Sequence, residues 1–191
     1  MFSKTQSNLF SELKRLFSSP FYVYGTIIVI SALALAGALI SEYVFGLKPC
    51  ILCIYQRIPY IVAIGLAVTG MLLRDYTPIW RCLPCGMSAL AFGVNAGIAF
   101  HHTGVEQKWW SSFAEACAME GIDPTASSED LLKQIMAAPV VPCDEIPWVD
   151  PVFGLSMAVY NTLLSAGMFV ACIIATIMIY RAARSSIDIK A

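Results

Sequence analysis

The stretch Lys48–Tyr60, KPCILCIYQRIPY, sets two cysteines and an arginine where a polar turn gives way to an apolar run. Thiols and a guanidinium in that position admit three readings: incidental packing residues, a metal clip or a redox couple. The choice depends on which side of a membrane the stretch faces, and composition says that there is a membrane to face. The chain has 191 residues, 58% of them hydrophobic and only 13% charged, with a mean hydropathy of +0.71. Soluble domains carry about 25% charged residues. A helical span needs roughly 20 apolar residues to cross about 30 Å of hydrocarbon. Four stretches qualify, at about 21–41, 54–73, 79–100 and 152–180. The expected fold is all-α: one membrane domain over 1–191, a four-transmembrane-helix bundle with a long outer loop, 103–151, between helices three and four. The net charge of −1 says nothing further about partners, and no nucleic-acid partner is expected.

The first span is too long for a signal-peptide core of about 7–15 residues, and no clear cleavage site follows it. Within the segment 1–20 that precedes it, Leu9, Phe10, Leu13, Leu16 and Phe17 recur at helical spacing, with Lys4, Lys14 and Arg15 off the stripe. That pattern suits a helix lying on the cytoplasmic membrane surface, the alternative being a loosely ordered tail.

Four spans put both termini on one side. Lys4, Lys14, Arg15, Arg74, Arg81, Arg181, Arg184 and Lys190 share that side, eight of the twelve basic residues. The other side holds Lys48, Lys108 and Lys133, with Arg57 at its boundary. Basic loops stay inside, so both termini are expected in the cytoplasm and the acidic loop 103–151 outside.

This topology sorts the seven cysteines. Cys50, Cys53, Cys117 and Cys143 fall on the oxidising side, where disulfides persist. Four cysteines allow three pairings, of which Cys50–Cys53 with Cys117–Cys143 is the natural one. Cys82 and Cys85 fall at the cytoplasmic end of span three, and Cys172 falls within span four. Two CxxC motifs together are a strong zinc signal, but here a membrane thickness separates them and they cannot share one ion. Cys82, Cys85 and Cys172 read as small packing residues, with a kink expected at Pro84. No metal ligand is assigned.

Cys50 and Cys53 instead open span two, where a helix N-terminus favours a thiolate. Arg57, four residues after Cys53, adds a cation on the same helix face; the competing reading of Arg57 is a snorkelling side chain. A thiolate beside a cation at the lipid boundary suits electron transfer to an apolar acceptor dissolved in the bilayer, such as a quinone. The chain lacks CxxCH, a dinucleotide-binding glycine pattern and a P-loop, so the acceptor is inferred from location.

CILCIYQR followed two residues later by Pro59-Tyr60, within a four-span chain with a second cysteine pair in its outer loop, resembles the DsbB family of bacterial inner-membrane thiol–quinone oxidoreductases. Members reoxidise the periplasmic dithiol oxidase DsbA. The resemblance implies that Cys50 and Cys53 form the quinone-proximal disulfide, with Cys53 engaging the quinone (ubiquinone or menaquinone) and Arg57 supporting both. It implies that Cys117 and Cys143 form the loop disulfide, with Cys117 taking the mixed disulfide with a DsbA-like partner. His102, in the HHT at the outer end of span three, matches a quinone-side histidine, with His101 adjacent. The second CxxC, Cys172 and the N-terminal extension depart from the family pattern.

Within the loop, PVVPCDEIPW surrounds Cys143 with Pro139, Pro142 and Pro147, favouring an extended, water-facing segment. Ser127 or Ser128 can cap a short helix whose Leu131, Leu132, Ile135 and Met136 share one face, and Trp109, Trp110 and Trp148 suit the membrane interface. Two rivals stand against the resemblance. One is a vitamin K epoxide reductase-like redox bundle, whose CxxC belongs late in the chain. The other is a non-catalytic membrane scaffold or metal-handling protein with structural cysteines.

Overall fold

The structure is a computed structural model that describes residues 17–112, 127, 129–130 and 142–188. Cys117, the Leu9–Leu16 part of the N-terminal stripe and the loop helix face Leu131–Met136 lie outside the described residues. The described elements are α1 (Pro20–Tyr43), α2 (Ile51–Tyr55), α3 (Arg57–Leu72), α4 (Pro78–Glu106) and α5 (Met157–Asp188). Among the described residues there is no strand, only an isolated bridge between Val149 and Ser156. Four helical stretches are long and apolar enough to cross a membrane: α1, α2 with α3, α4, and α5 through Ser185. Between 22% and 39% of each apolar window is buried by protein, so most of each span presents side chains outward, as lipid-facing helices do.

Local chemistry sets the ends. α1 stops where Gly46 takes a left-handed φ of 69°, and Leu47 N–H closes the turn onto the Ser41 carbonyl at 3.0 Å. The second span is interrupted at Gln56 because Pro59 has no N–H for the Tyr55 carbonyl. α4 runs through Pro84 and six residues past Phe100, so that His102 and Glu106, expected at a loop boundary, stand on the helix. α5 starts at Met157, five residues later than its apolar run. Asp150 gathers the intervening chain into a turn, accepting from Val152 and Phe153 N–H, while Gly154 supplies a φ of 68°. In the loop, Ser127 caps as expected, its Oγ accepting from Asp130 N–H at 3.3 Å.

The chain forms two compact units. In one, 1–36, 59–94 and 165–191, a core of Tyr24, Ile27, Tyr60, Phe92, Met168 and Ile179 is interleaved with Ala63, Ala67, Ala89 and Ala175. Small residues let membrane helices approach closely. Gly70 is required here, since a Cβ would lie 2.2 Å from the Tyr24 ring, whose hydroxyl reaches the Arg81 carbonyl. Cys85 and Cys172 belong to this core, and Cys85 donates to the Cys172 carbonyl at 3.4 Å. The other unit, 37–58 and 95–164, has a smaller core of Cys50, Leu52, Val105 and Cys143.

Candidate active site: a thiol cluster at the start of the second span

Cys50 caps α2. Its backbone is extended (φ −74°, ψ 170°), and its sulfur accepts from Cys53 N–H at 3.4 Å, as an oxygen does in commoner caps. The two sulfurs stand 3.3 Å apart as free thiols. His102 lies beside them, buried, with Nε2 3.5 Å from Cys50 Sγ. Its Nδ1 is 3.1 Å from the Gln56 amide nitrogen, and Gln56 Oε1 in turn accepts from Asn161 at 2.5 Å. Glu106, one turn further along α4, brings Oε1 to 3.8 Å from His102 Nε2, while Ser156 donates to its other oxygen. Three elements, α2, α4 and α5, thus meet around one pair of sulfurs.

The Cys50 thiol is pulled down from the ordinary thiol range to about 4. The largest cause is the hydrogen bond between the two sulfurs, followed, against the cost of burial, by the hydrogen bond and charge of His102 and by the Cys53 N–H. Sequence spacing set Arg57 on the helix face of Cys53; in the structure Arg57 Nη1 pairs with Glu42 Oε2 at 2.7 Å. The Arg57 Nε is buried and has no hydrogen-bond partner among the described residues.

Of the two histidines, His102 faces the thiols. His101 stacks on Trp110 with rings 12° from parallel, and Trp110 donates to the His101 carbonyl. Gly104 permits this packing, because a Cβ there would meet the Trp110 ring at 2.1 Å. Cys143 is disulfide-bonded. Contrary to the expected water-facing segment, it is 0% exposed and packs in one cluster with Cys50, Leu52 and Val105. Sequence reasoning missed Gln56, Glu106, Asn161, Ser156 and Glu42. Glu106 was within reach, four residues after His102, had α4 been drawn to its end. Gln56 sits inside the quoted motif, whereas Asn161 carries no local signal.

The chain is similar to several known proteins. A family model described as disulfide bond formation protein DsbB matches residues 21–175. An uncharacterised protein of Rickettsia prowazekii is 30% identical over 142 residues, 73% of this chain and 77% of its own. Two proteins named disulfide bond formation protein B are also similar. The one from Stutzerimonas stutzeri is 28% identical over 75% of this chain and 86% of its own, and that from Dechloromonas aromatica 29% over 64% and 71%. No solved structure matches. With four helices able to span a membrane and a family match over most of its length, the chain is a multi-pass membrane protein that belongs to the DsbB family of disulfide bond formation proteins.

Proposed function

We propose that this protein reoxidises a DsbA-like periplasmic thioredoxin-fold oxidase and delivers the electrons to a membrane quinone. It does so from the inner membrane, with both termini cytoplasmic and the four outer cysteines periplasmic. The observation that supports the reading is that Cys143, itself disulfide-bonded, shares one buried cluster with Cys50.

In this reading the partner's thiolate attacks Cys117 and releases Cys143 as a thiolate. Cys143 then attacks Cys50 of an oxidised Cys50–Cys53 pair, so one disulfide forms as another breaks and Cys53 leaves as the thiolate. Resolution of the Cys117 mixed disulfide by the partner's second thiol frees the oxidised partner. Two electrons and two protons remain on this protein, and a quinone supplies the sink for both.

The residues suit such an acceptor. Ile54, Ile58 and Ile61 are exposed on the same helical span as the thiols, an apolar approach from the bilayer, and the Arg57 Nε, without a partner among the described residues, offers a donor to a carbonyl oxygen. Arg57 stays oriented through Glu42, while His102 and Glu106 are placed to accept protons leaving the thiols. The surroundings also set the driving force. Interactions that favour the Cys50 thiolate stabilise the reduced pair, which raises its reduction potential. The pair must accept electrons from a dithiol at about −120 mV, so it needs that rise.

Anaerobic membrane vesicles given the reduced partner, with quinone added or withheld, test the proposal. Partner oxidation should continue past one round only with quinone. Equal turnover without quinone would overturn the acceptor, and external thiols that stay oxidised throughout would favour the structural-cysteine reading.

A further inference from the structure

We propose that the reduced Cys50–Cys53 pair and His102 form a three-ligand capture site for a thiophilic divalent cation of the zinc class. Cys50 Sγ, Cys53 Sγ and a His102 ring nitrogen all lie within 4.8 Å of one another. Zinc takes sulfur at about 2.3 Å and imidazole nitrogen at about 2.0–2.1 Å in a tetrahedron, which asks for about 3.8 Å between sulfurs and about 3.5 Å from sulfur to nitrogen. The Cys50 Sγ–His102 Nε2 separation is already 3.5 Å. The sulfurs, at 3.3 Å, need to open by about half an ångström. Cys53, partly exposed at the edge of the cluster, has room to supply that movement. Glu106 Oε1, 3.8 Å from the same nitrogen, is a neighbouring carboxylate outside this group of three, and the fourth position is left to water.

A ligating imidazole donates its other ring N–H; His102 Nδ1 faces the Gln56 amide nitrogen, held by Asn161, so metal binding through Nε2 requires Gln56 to turn its amide oxygen toward Nδ1. The ligand set exists only in one redox state. Two thiols exchange two protons for one cation with no electron transferred, whereas the disulfide leaves a lone imidazole. The metal is therefore a brake, not a resident cofactor. It locks the electron pair in the thiols and stops their passage onward, a consequence that rests on the proposed redox function, although binding itself does not.

The test uses the full chain with Cys82, Cys85 and Cys172 replaced by alanine, reduced and freed of reductant without oxygen. Cobalt(II) should give one equivalent of tetrahedral, thiolate-ligated absorption, displaced by zinc and absent from the oxidised protein. His102→Gln should weaken binding at least about tenfold, and Cys50→Ser or Cys53→Ser should abolish this spectrum. One equivalent of zinc should also shield Cys50 and Cys53 of the unsubstituted chain from alkylation until a chelator is added, a readout that needs no variant to fold. Full labelling in the presence of zinc, or a cobalt spectrum indifferent to His102, would overturn the site. Because none of these measurements involves partner or quinone, they stand or fall separately from turnover. With partner and quinone present, zinc inhibition reversed by chelation supports the brake, and undiminished turnover with metal bound overturns it.

Discussion

The chain carries the same short motif twice, and the two copies differ in everything but spacing. Cys50-x-x-Cys53 begins a helix, where a sulfur caps the first turn and a histidine, a glutamine and a carboxylate gather around it. Cys82-x-x-Cys85 lies inside α4, where the backbone amides are already engaged. Cys82, partly exposed, donates to the Ile79 carbonyl and Cys85, buried in the core, to the Cys172 carbonyl, each at 3.4 Å. A sulfur at a helix N-terminus meets backbone N–H groups with no intrahelical partner, and one inside a helix does not. The motif itself carries no chemistry; its position in the helix does.

The bluntest way to break this comparison is to delete each cluster. Cys50→Ala or Cys53→Ala should reduce partner oxidation to background, a loss of at least about a thousandfold, while the protein still inserts. Replacing Cys82, Cys85 and Cys172 together should leave turnover within about twofold and cost stability instead, since each fills a packed position. Activity lost with the second set but kept with the first would reverse the assignment.

A second test concerns how the loop pair joins the first cluster. Cys143→Ser should leave Cys117 able to trap the partner as a covalent complex that dissolves on reduction, visible by non-reducing electrophoresis. Removing Cys117 should prevent it. The burial of Cys143 sharpens this expectation, because a folded partner cannot approach a fully covered sulfur. A complex that survives loss of Cys117 but requires Cys82 or Cys85 would overturn both topology and mechanism.

The sequence made the spans legible because apolar runs of that length have no other soluble or membrane explanation. Their ends were not legible. Hydropathy falls after Phe100, yet the backbone keeps its helical hydrogen bonds through HHTGVE, carrying His102 and Glu106 onto one face. The cysteines and Arg57 could be singled out as types, but not their pairings. Arg57 pairs with Glu42, 15 residues earlier beyond a turn, and Asn161 holds Gln56 across 105 residues. Tertiary neighbours leave no periodic trace.

Arg57 offers a smaller effect with a clear direction. Arg57→Met removes the Nε donor, which has no hydrogen-bond partner among the described residues, and strands Glu42. If the guanidinium serves the acceptor, the apparent KM for quinone should rise about 10- to 100-fold, the range expected for losing a charge-assisted hydrogen bond. An unchanged KM with normal insertion would make Arg57 a structural partner of Glu42 alone.

The gentlest test reads the protonation of Cys50 without turnover. Its thiol stands at about 4 in the folded, reduced protein, below the ordinary thiol value. The groups that hold it there stabilise the reduced fold fully above the ordinary thiol pKa of about 8.5, and that contribution is lost as pH falls through about 4. Between those limits the folded chain holds a thiolate where the unfolded chain holds a thiol. Alkylation of Cys50 in metal-free buffer should therefore vary little from pH 8 down to about 5 and decline below that, although a low-pKa thiolate reacts more slowly per molecule than an ordinary one. His102→Gln removes one of the lowering interactions and should move the decline to higher pH. Cys85, buried with its proton directed at a carbonyl, should resist the reagent across the same range until the fold is lost. If Cys50 instead followed an ordinary thiol profile, or if His102→Gln left the midpoint in place, the surroundings would not be tuning the sulfur. The difference between the two motifs would then reduce to exposure alone.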